Sequence, residues 1–299
     1  MKQLRVGWHS FRKSFTLVGW LYIGKLILAL IFTLPLLAAV NASLDNSAYS
    51  SVLLRSWSLE VITELIHRHQ EALPAFVAVL IFYSMAVFVF RQFLNGGIYH
   101  TFKSGIRLNV RTFFAASGGL FRGNLIISLF MLLVYFVLAV ASQLVASFVP
   151  ADIAGHYGAA GFTEMFVHLA CLYVFLIAGS ILSDILRFRL AAHPEEKFLQ
   201  QLRPAFNFYF RRFVKLNSIY YLYFLPMAIF WVIIEYLALA VTGGLANIVG
   251  VFLELVLFQL CSFARTGQSL LFVATVGPMA QAAFPGHMER PVSDEVSLD

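Results

Sequence analysis

The chain has 299 residues, of which 60% are hydrophobic and only 12% are charged, and its mean hydropathy is +0.81. Soluble globular domains contain about 45–50% apolar and about 25% charged residues, so this composition excludes that class. The 16% of aromatic residues, among them 31 phenylalanines, also exclude a disordered or collagen-like chain. The composition indicates a protein embedded in a membrane.

Six apolar segments are long enough to cross a bilayer, which takes about 20 residues per helix. The first segment is too long for the hydrophobic region of a signal peptide and contains Lys25, so it is interpreted as a retained span. The predicted spans are residues 16–39, 73–90, 125–148, 162–183, 219–241 and 245–263. They predict one all-α integral membrane domain over residues 1–280, followed by a disordered tail at 281–299.

Between the first two spans, residues 56–72 have helical periodicity, with Leu59, Ile62, Leu65 and Ile66 on one face. We expect an amphipathic helix on the membrane surface there. Its opposite face carries the possible metal ligands Glu60, Glu64, His67 and Glu71, and a second stripe in the fourth span carries Glu164, His168 and Cys171. A solvated face explains the first stripe better than a metal site, and the second is a weak signal for a metal or redox site. We therefore predict no metal site and no cofactor.

The positive charges predict the orientation of the chain. Eighteen of the 21 Lys and Arg residues lie at the N-terminus, after span two, after span four or in the C-terminal part, all of which the six spans place on one side of the membrane. Two, Arg55 and Arg68, lie on the other side. Because cytoplasmic loops carry an excess of Lys and Arg, both termini should be cytoplasmic, in a bacterial inner membrane. The same rule explains the net charge of +6 better than a nucleic-acid partner does. The two cysteines, Cys171 and Cys261, lie in apolar segments and imply no disulfide framework.

A basic and aromatic stretch precedes each odd-numbered span. Each stretch carries two aromatic residues seven positions apart: Trp8 and Phe15, Phe114 and Phe121, and Phe206 and Phe213. One interpretation is a threefold repeat of an amphipathic entry helix and a helical hairpin. The entry helices would lie on the inner leaflet, with Arg107, Arg111, Arg211 and Arg212 as predicted contacts to anionic lipid headgroups.

These entry segments carry a resemblance to a known family. The stretch LNGGIYHTFKSG, the FRGNL before span three and the RFRLAAHPEEKFLQQLRPAFNFYFRRFVKL after span four resemble bacterial six-span proteins related to the membrane domain of glycerophosphodiester phosphodiesterases. In that family the enzymatic activity belongs to a separate soluble domain. The resemblance therefore implies a membrane module and no catalytic residues in this chain.

Charged residues inside spans are the main candidates for a functional site, because placing one there costs about 2.5–3.5 kcal/mol or more. Lys25, Glu235 and Glu254 qualify. Their depths predict that Lys25 lies near Glu254 with Glu235 close to both, either as a structural ion pair or as part of a transport site.

Two shorter patterns near the ends of spans have structural interpretations. Asp184 and Arg187, three residues apart, should form a local pair. The glycine pairs Gly96-Gly97, Gly118-Gly119 and Gly243-Gly244 lie in no phosphate-binding motif and favour helix packing, bends or a tight turn.

The sequence predicts a non-enzymatic module, a scaffold or accessory subunit that packs against membrane lipids and partner membrane proteins. The alternative is a transporter or permease component that uses Lys25, Glu235 and Glu254. An intramembrane enzyme is the weakest hypothesis, because no nucleophile, diacid or histidine pair has a convincing spacing.

Overall fold

The structure is a computed structural model that describes residues 2–44, 73–104, 109–148, 159–244 and 248–285. Within these ranges it consists of eight helices and contains no strand. In chain order they are α1 Lys2–Lys13, α2 Phe15–Leu44, α3 Leu73–Ser104, α4 Val110–Ser147, α5 Ala159–Ala192, α6 Phe198–Arg211, α7 Phe213–Gly244 and α8 Ile248–Ala283.

The six long helices, α2, α3, α4, α5, α7 and α8, are each long and apolar enough to span a membrane. Their surfaces expose large apolar side chains such as Phe82, Leu133 and Phe136, which only a lipid environment can solvate favourably. The prediction of an all-α, multi-pass membrane protein with six spans is confirmed.

The two short helices, α1 and α6, have 12 and 14 residues and are too short to span a bilayer. Each precedes a spanning helix and matches a predicted entry helix. The remaining predicted entry stretch, the one before span three, differs, because residues 110–124 are the first part of α4 itself. With 38 residues α4 is about 57 Å long, far more than the roughly 30 Å hydrocarbon core, so one helix covers both the basic stretch and the span.

The chain divides into two compact units. Unit 1 comprises Met1–Arg12, Gln92–Leu222 and Leu271–Asp299, and unit 2 comprises Lys13–Arg91 and Tyr223–Leu270. Helices α3, α7 and α8 each contribute residues to both units.

The predicted surface helix at 56–72 lies outside the described residues, as does most of the predicted disordered tail. Helix α8 itself continues through Pro278 to Ala283, beyond the predicted domain end at residue 280.

The core of unit 1 lies where α3, α4 and α5 pack together. Ile127 of α4 and Ile181, Ile185 and Leu186 of α5 are almost completely buried. Helix α3 approaches α4 at Gly96, where an added Cβ would lie 2.9 Å from both the Ala116 carbonyl oxygen and the Ser117 Cα. Small residues allow such backbone contact in lipid, so the packing role predicted for this glycine pair is confirmed. The pair at 118–119 has no neighbour within 4 Å of an added Cβ.

Unit 2 holds α2 against α3 and α8 through aromatic and polar contacts. The Tyr22 hydroxyl of α2 donates a hydrogen bond to Gln259 Oε1 of α8 at 2.8 Å, and the same ring meets Phe263 edge-on at 5.4 Å. On the other side of α2, the Phe32 ring lies 4.7 Å from the ring of Tyr83 in α3. Side chains that reach from one helix to the next join these spans.

Candidate functional site

Helices α3, α4 and α5 enclose a group of polar side chains inside unit 1. This buried polar cluster consists of Gln92, Asn95, Tyr99, Ser128, Asp184 and Arg187. Its α3 members are spaced three and four residues apart, which places them on one face of that helix. Arg187 comes from the facing helix α5 and is only 8% exposed.

The guanidinium of Arg187 joins the three helices. It donates to Asp184 Oδ1 at 3.5 Å on its own helix, to Gln92 Oε1 at 3.4 Å on α3 and to Ser128 Oγ at 3.2 Å on α4. The local pair predicted for Asp184 and Arg187 is therefore confirmed. The Ser128 hydroxyl also donates to Gln92 Oε1 at 2.5 Å, and the Asn95 amide donates to the same oxygen at 3.0 Å.

Tyr99 completes the cluster from α3. Its hydroxyl donates a hydrogen bond to Asp184 Oδ1, and the Arg187 guanidinium carbon lies 5.9 Å from its ring centroid. One carboxylate and one guanidinium leave the cluster without net charge, as a buried site in a membrane requires. Because interhelical hydrogen bonds hold helices together in lipid, this arrangement is suited to fixing the positions of three spans.

A second feature lies where the end of α5 meets α6 and the end of α8. A cavity of about 260 Å³ opens there, which we call the arginine-aromatic cavity. Three arginines and two phenylalanines form its walls with three smaller side chains: Arg189, Arg211, Arg212, Phe208, Phe284, Pro204, Asn207 and Ala283. The cavity lies entirely in unit 1, and the described residues that line it include no carboxylate.

Aromatic rings and one acid hold two of the arginines. The guanidinium carbon of Arg212 lies 4.7 Å from the Phe208 ring centroid, and that of Arg189 lies 5.4 Å from the Phe284 centroid. The two rings contact each other at 5.2 Å. Arg189 Nη2 also donates to Glu196 Oε1 at 2.5 Å. Contacts of this kind orient a guanidinium without removing its charge.

The turn between α5 and α6 is held by neutral and charged donors. The buried Gln201 amide donates to the carbonyls of His193 and Glu196 at 3.2 and 3.0 Å. The ammonium of Lys103 donates to the Ala191 carbonyl at 2.7 Å and so satisfies one of the last carbonyls of α5. These bonds join the end of α5 to α3 and to the start of α6, beside the cavity.

Next to the cavity, Tyr209 packs its ring against Phe213 at 5.4 Å. Burial raises the pKa of the Tyr209 hydroxyl above its ordinary value, because the charged phenolate would lose its hydration. The phenol is therefore neutral at physiological pH and adds no negative charge beside the three arginines.

Two of the three charges predicted to meet inside the spans, Lys25 and Glu235, have other partners in the described structure. Lys25 Nζ donates to the hydroxyl of Thr266 at 3.1 Å, and Glu235 Oε1 accepts a hydrogen bond from the Trp231 indole at 3.0 Å. No ion pair joins Lys25 to Glu235 in the described structure. Glu254 belongs to α8, but its side chain lies outside the described residues, so its pairing with Lys25 stays a prediction.

The four predicted lipid-contact arginines fall into separate places. Arg111 is exposed in the first turn of α4, and Arg211 is exposed at the end of α6. Arg212 is half-buried and also donates to the Met279 carbonyl of α8 at 3.4 Å. Arg107 lies outside the described residues.

The predicted metal stripes are described only in part. In the fourth span, His168 Nδ1 lies 2.7 Å from Gln143 Oε1 of α4. Among the described residues no group of three or more His, Cys, Asp or Glu side chains could hold a metal ion. The stripe from Glu60 to Glu71 lies outside the described residues.

Sequence reasoning missed four members of the buried polar cluster, Gln92, Asn95, Tyr99 and Ser128, and all of the cavity wall except Arg211 and Arg212. The spacing of Gln92, Asn95 and Tyr99, which places them on one helix face, was the signal in the sequence from which the polar cluster could have been found.

Compared with protein-family models, with curated proteins and with solved structures, the chain has no match in any of the three.

Proposed function

We propose that this protein is a non-enzymatic module of the bacterial inner membrane that associates with anionic lipid headgroups on the cytoplasmic side and packs against partner membrane proteins. The observation that carries the proposal is helix α6, which is amphipathic and too short to span the bilayer. It exposes 76% of Leu199 and 65% of Phe210, together with the charged ends of Arg203 and Arg211.

This pattern is typical of a helix that lies in the plane of a membrane surface. Its apolar side chains enter the boundary of the acyl chains, while its arginines remain level with the headgroups. Each basic residue near an anionic surface contributes about 1 kcal/mol. Helix α1 has the same construction, with Trp8 56% exposed beside the exposed Arg5 and Arg12.

Lipid retention tests the proposal. The full-length protein is extracted from membranes containing phosphatidylglycerol, and the retained lipids are quantified by mass spectrometry. Neutralising the four predicted lipid contacts to glutamine (Arg107, Arg111, Arg211 and Arg212) should lower the retained phosphatidylglycerol by about half or more, given about 1 kcal/mol for each lost charge.

The matched control removes two arginines from the opposite side of the predicted topology, Arg55→Gln and Arg68→Gln, and should retain lipid as the wild type does. If the quadruple variant retains as much anionic lipid as this control, the arginines only set the topology, and the proposed association is refuted.

Cysteine labelling tests the orientation. In a background with Cys171 and Cys261 replaced by serine, cysteines at Ser104 and Ala192 should react with an impermeant maleimide only after the membrane is opened. Cysteines at Ser47 and Ala154 should react in intact cells. Labelling at Ala192 from outside would overturn the six-span topology with cytoplasmic termini.

A transporter is the second candidate, and the position of Lys25 favours it. Its ammonium lies inside a predicted span and its hydrogen bond goes to a neutral hydroxyl, that of Thr266. Intramembrane ammonium groups of this kind mark ion or proton pathways in many membrane proteins.

Proton uptake into proteoliposomes under an imposed potential tests this candidate. Uptake should be lost in Lys25→Met and retained in Lys25→Arg. Uptake no faster than in protein-free liposomes excludes proton transport by this route.

A further inference from the structure

We propose that the arginine-aromatic cavity binds a phosphate group, carried either by the headgroup of an anionic lipid or by inorganic phosphate. The inference rests on the proposed function only where it names a lipid as the source of the phosphate. It concerns one defined site, whereas the proposed function concerns a diffuse basic surface.

The charge of the cavity selects an anion. Three guanidinium groups, those of Arg189, Arg211 and Arg212, line it, and among the described residues the carboxylate bound to them is that of Glu196, on Arg189. The site therefore keeps an excess of two positive charges, which matches a phosphate carrying one or two negative charges. Arg212 and Arg189 are partly shielded from solvent by the protein, so their attraction for an anion is screened less than at an open surface.

The arginines favour an oxyanion such as phosphate over a chloride ion. The guanidinium carbons of Arg212 and Arg189 lie over phenylalanine rings. In the described structure Arg212 Nη1 donates to the Met279 carbonyl and Arg189 Nη2 donates to Glu196, so each guanidinium has further N–H donors for a ligand. A guanidinium edge donates two parallel hydrogen bonds to phosphate oxygens, a geometry that a hydrated chloride ion cannot use.

Arg189 has a donor that the protein leaves unused. Its Nε atom is buried and has no hydrogen-bond partner in the described structure. Buried donors are almost always paired, so an unpaired one beside a cavity indicates a group that a bound acceptor satisfies. The amide of Asn207 in the cavity wall is a further donor for a phosphate oxygen.

The size of the cavity limits the ligand. At about 260 Å³ it is slightly smaller than pockets that enclose drug-sized molecules, which measure about 300–1,000 Å³. A phosphate with a short headgroup fits this volume, whereas a whole lipid with its acyl chains does not. The acyl chains of a lipid would therefore remain outside the cavity.

The first experiment uses inorganic phosphate as the probe. Thermal unfolding of the full-length protein in neutral detergent is measured against phosphate concentration, with chloride at equal ionic strength as the reference. Phosphate should raise the melting temperature of the wild type. In Arg211→Gln with Arg212→Gln, the phosphate concentration for half the effect should rise at least about tenfold, since two charge-assisted hydrogen-bond donors are lost.

The matched control carries Arg122→Gln with Lys215→Gln, which removes the same charge from exposed positions outside the cavity. It should respond to phosphate as the wild type does. Arg211→Gln alone serves as the second variant, because that side chain is exposed and its replacement leaves the core intact. If the control pair loses as much of its response to phosphate as the cavity pair does, the proposal is overturned, since the loss would then be a general effect of charge.

The second experiment identifies the source of the phosphate. Wild type and both pairs of variants are placed in nanodiscs of phosphatidylcholine with or without phosphatidic acid, and bound lipid is counted by native mass spectrometry. Loss of phosphatidic acid in the cavity pair alone supports a lipid headgroup in the cavity. If inorganic phosphate binds to the wild type, this binding is weakened in the cavity pair and phosphatidic acid does not bind, the ligand is the free anion.

The outcomes separate the two proposals. Equal lipid loss in both pairs, with no phosphate effect on the wild type, refutes the cavity and leaves the diffuse lipid association standing. Loss of the phosphate effect in the cavity pair alone, with lipid binding unchanged in every variant, supports the cavity and refutes the lipid association. A wild type that responds to neither probe refutes the cavity outright.

Discussion

Replacement of Arg187 by methionine tests whether the buried polar cluster holds α3, α4 and α5 together. Arg187 is 8% exposed and reaches Asp184 at 3.5 Å and Ser128 at 3.2 Å. Removing one partner of a buried ion pair costs about 3–5 kcal/mol, because the other charge is left uncompensated. Since the Asp184 side chain is 19% exposed and keeps the Tyr99 hydroxyl, we expect a loss near the lower limit, about 3 kcal/mol.

A double-mutant cycle separates the pair from its surroundings. Asp184→Asn alone leaves Arg187 charged and buried and should also cost about 3 kcal/mol. The double variant, Asp184→Asn with Arg187→Met, carries no buried charge, and its amide still accepts the hydrogen bond from Tyr99. We therefore expect the double variant to lose about 3 kcal/mol of unfolding free energy, whereas the two single losses add up to about 6 kcal/mol. The difference is a coupling energy of about 3 kcal/mol.

The free energy of unfolding is measured by titrating the detergent-solubilised protein with sodium dodecyl sulfate and following circular dichroism. Arg203→Met, at an exposed position of α6, is the matched control and should change stability by less than about 0.5 kcal/mol. Strictly additive losses in the double variant would show that the two side chains contribute independently, and the description of the cluster as one coupled unit would be abandoned.

Three further changes have defined outcomes. Gly96→Ala should destabilise the protein by about 1–3 kcal/mol, because its Cβ would meet backbone atoms of α4 at 2.9 Å, whereas Gly118→Ala, with open space around it, should stabilise by up to about 1 kcal/mol in the same titration. Tyr99→Phe removes one hydrogen bond to a carboxylate and should cost about 2 kcal/mol; an unchanged midpoint would refute that contact. Lys25→Glu combined with Glu254→Lys should recover the expression and thermal stability lost by either single change, and a double variant no better than the worse single one would show that the two residues are not partners.

The fold was predictable from sequence because its main signal is local. Spans are recognised from apolar length alone, and the pair of Asp184 and Arg187 follows from their spacing on one helix. The close packing at Gly96 was also predicted, since small residues side by side favour contact between helices in lipid. None of these predictions requires knowledge of which helix lies beside which.

The polar cluster and the cavity depend on that knowledge. Ser128 is one hydroxyl in a long apolar helix, and nothing in its local sequence says that it faces Gln92 and Arg187. The cavity requires α8 to continue past its predicted span end at residue 263, so that Phe284 reaches Phe208. A hydropathy pattern ends the span where charge begins, but hydrogen bonds within the helix continue it to Ala283.

The two features of unit 1 are connected through α5. Arg187 and Arg189 are two residues apart, so they point to opposite sides of the helix, about 200° around its axis. The bonds of Arg187 to α3 and α4 set the rotation of α5, and that same rotation turns Arg189 toward Phe284 and Glu196. In lipid, apolar side chains alone hold such a rotation weakly, because the acyl chains are as apolar as the neighbouring helices. A polar cluster on one side of α5 is thus a physical means of keeping the arginine on its other side in place for a ligand.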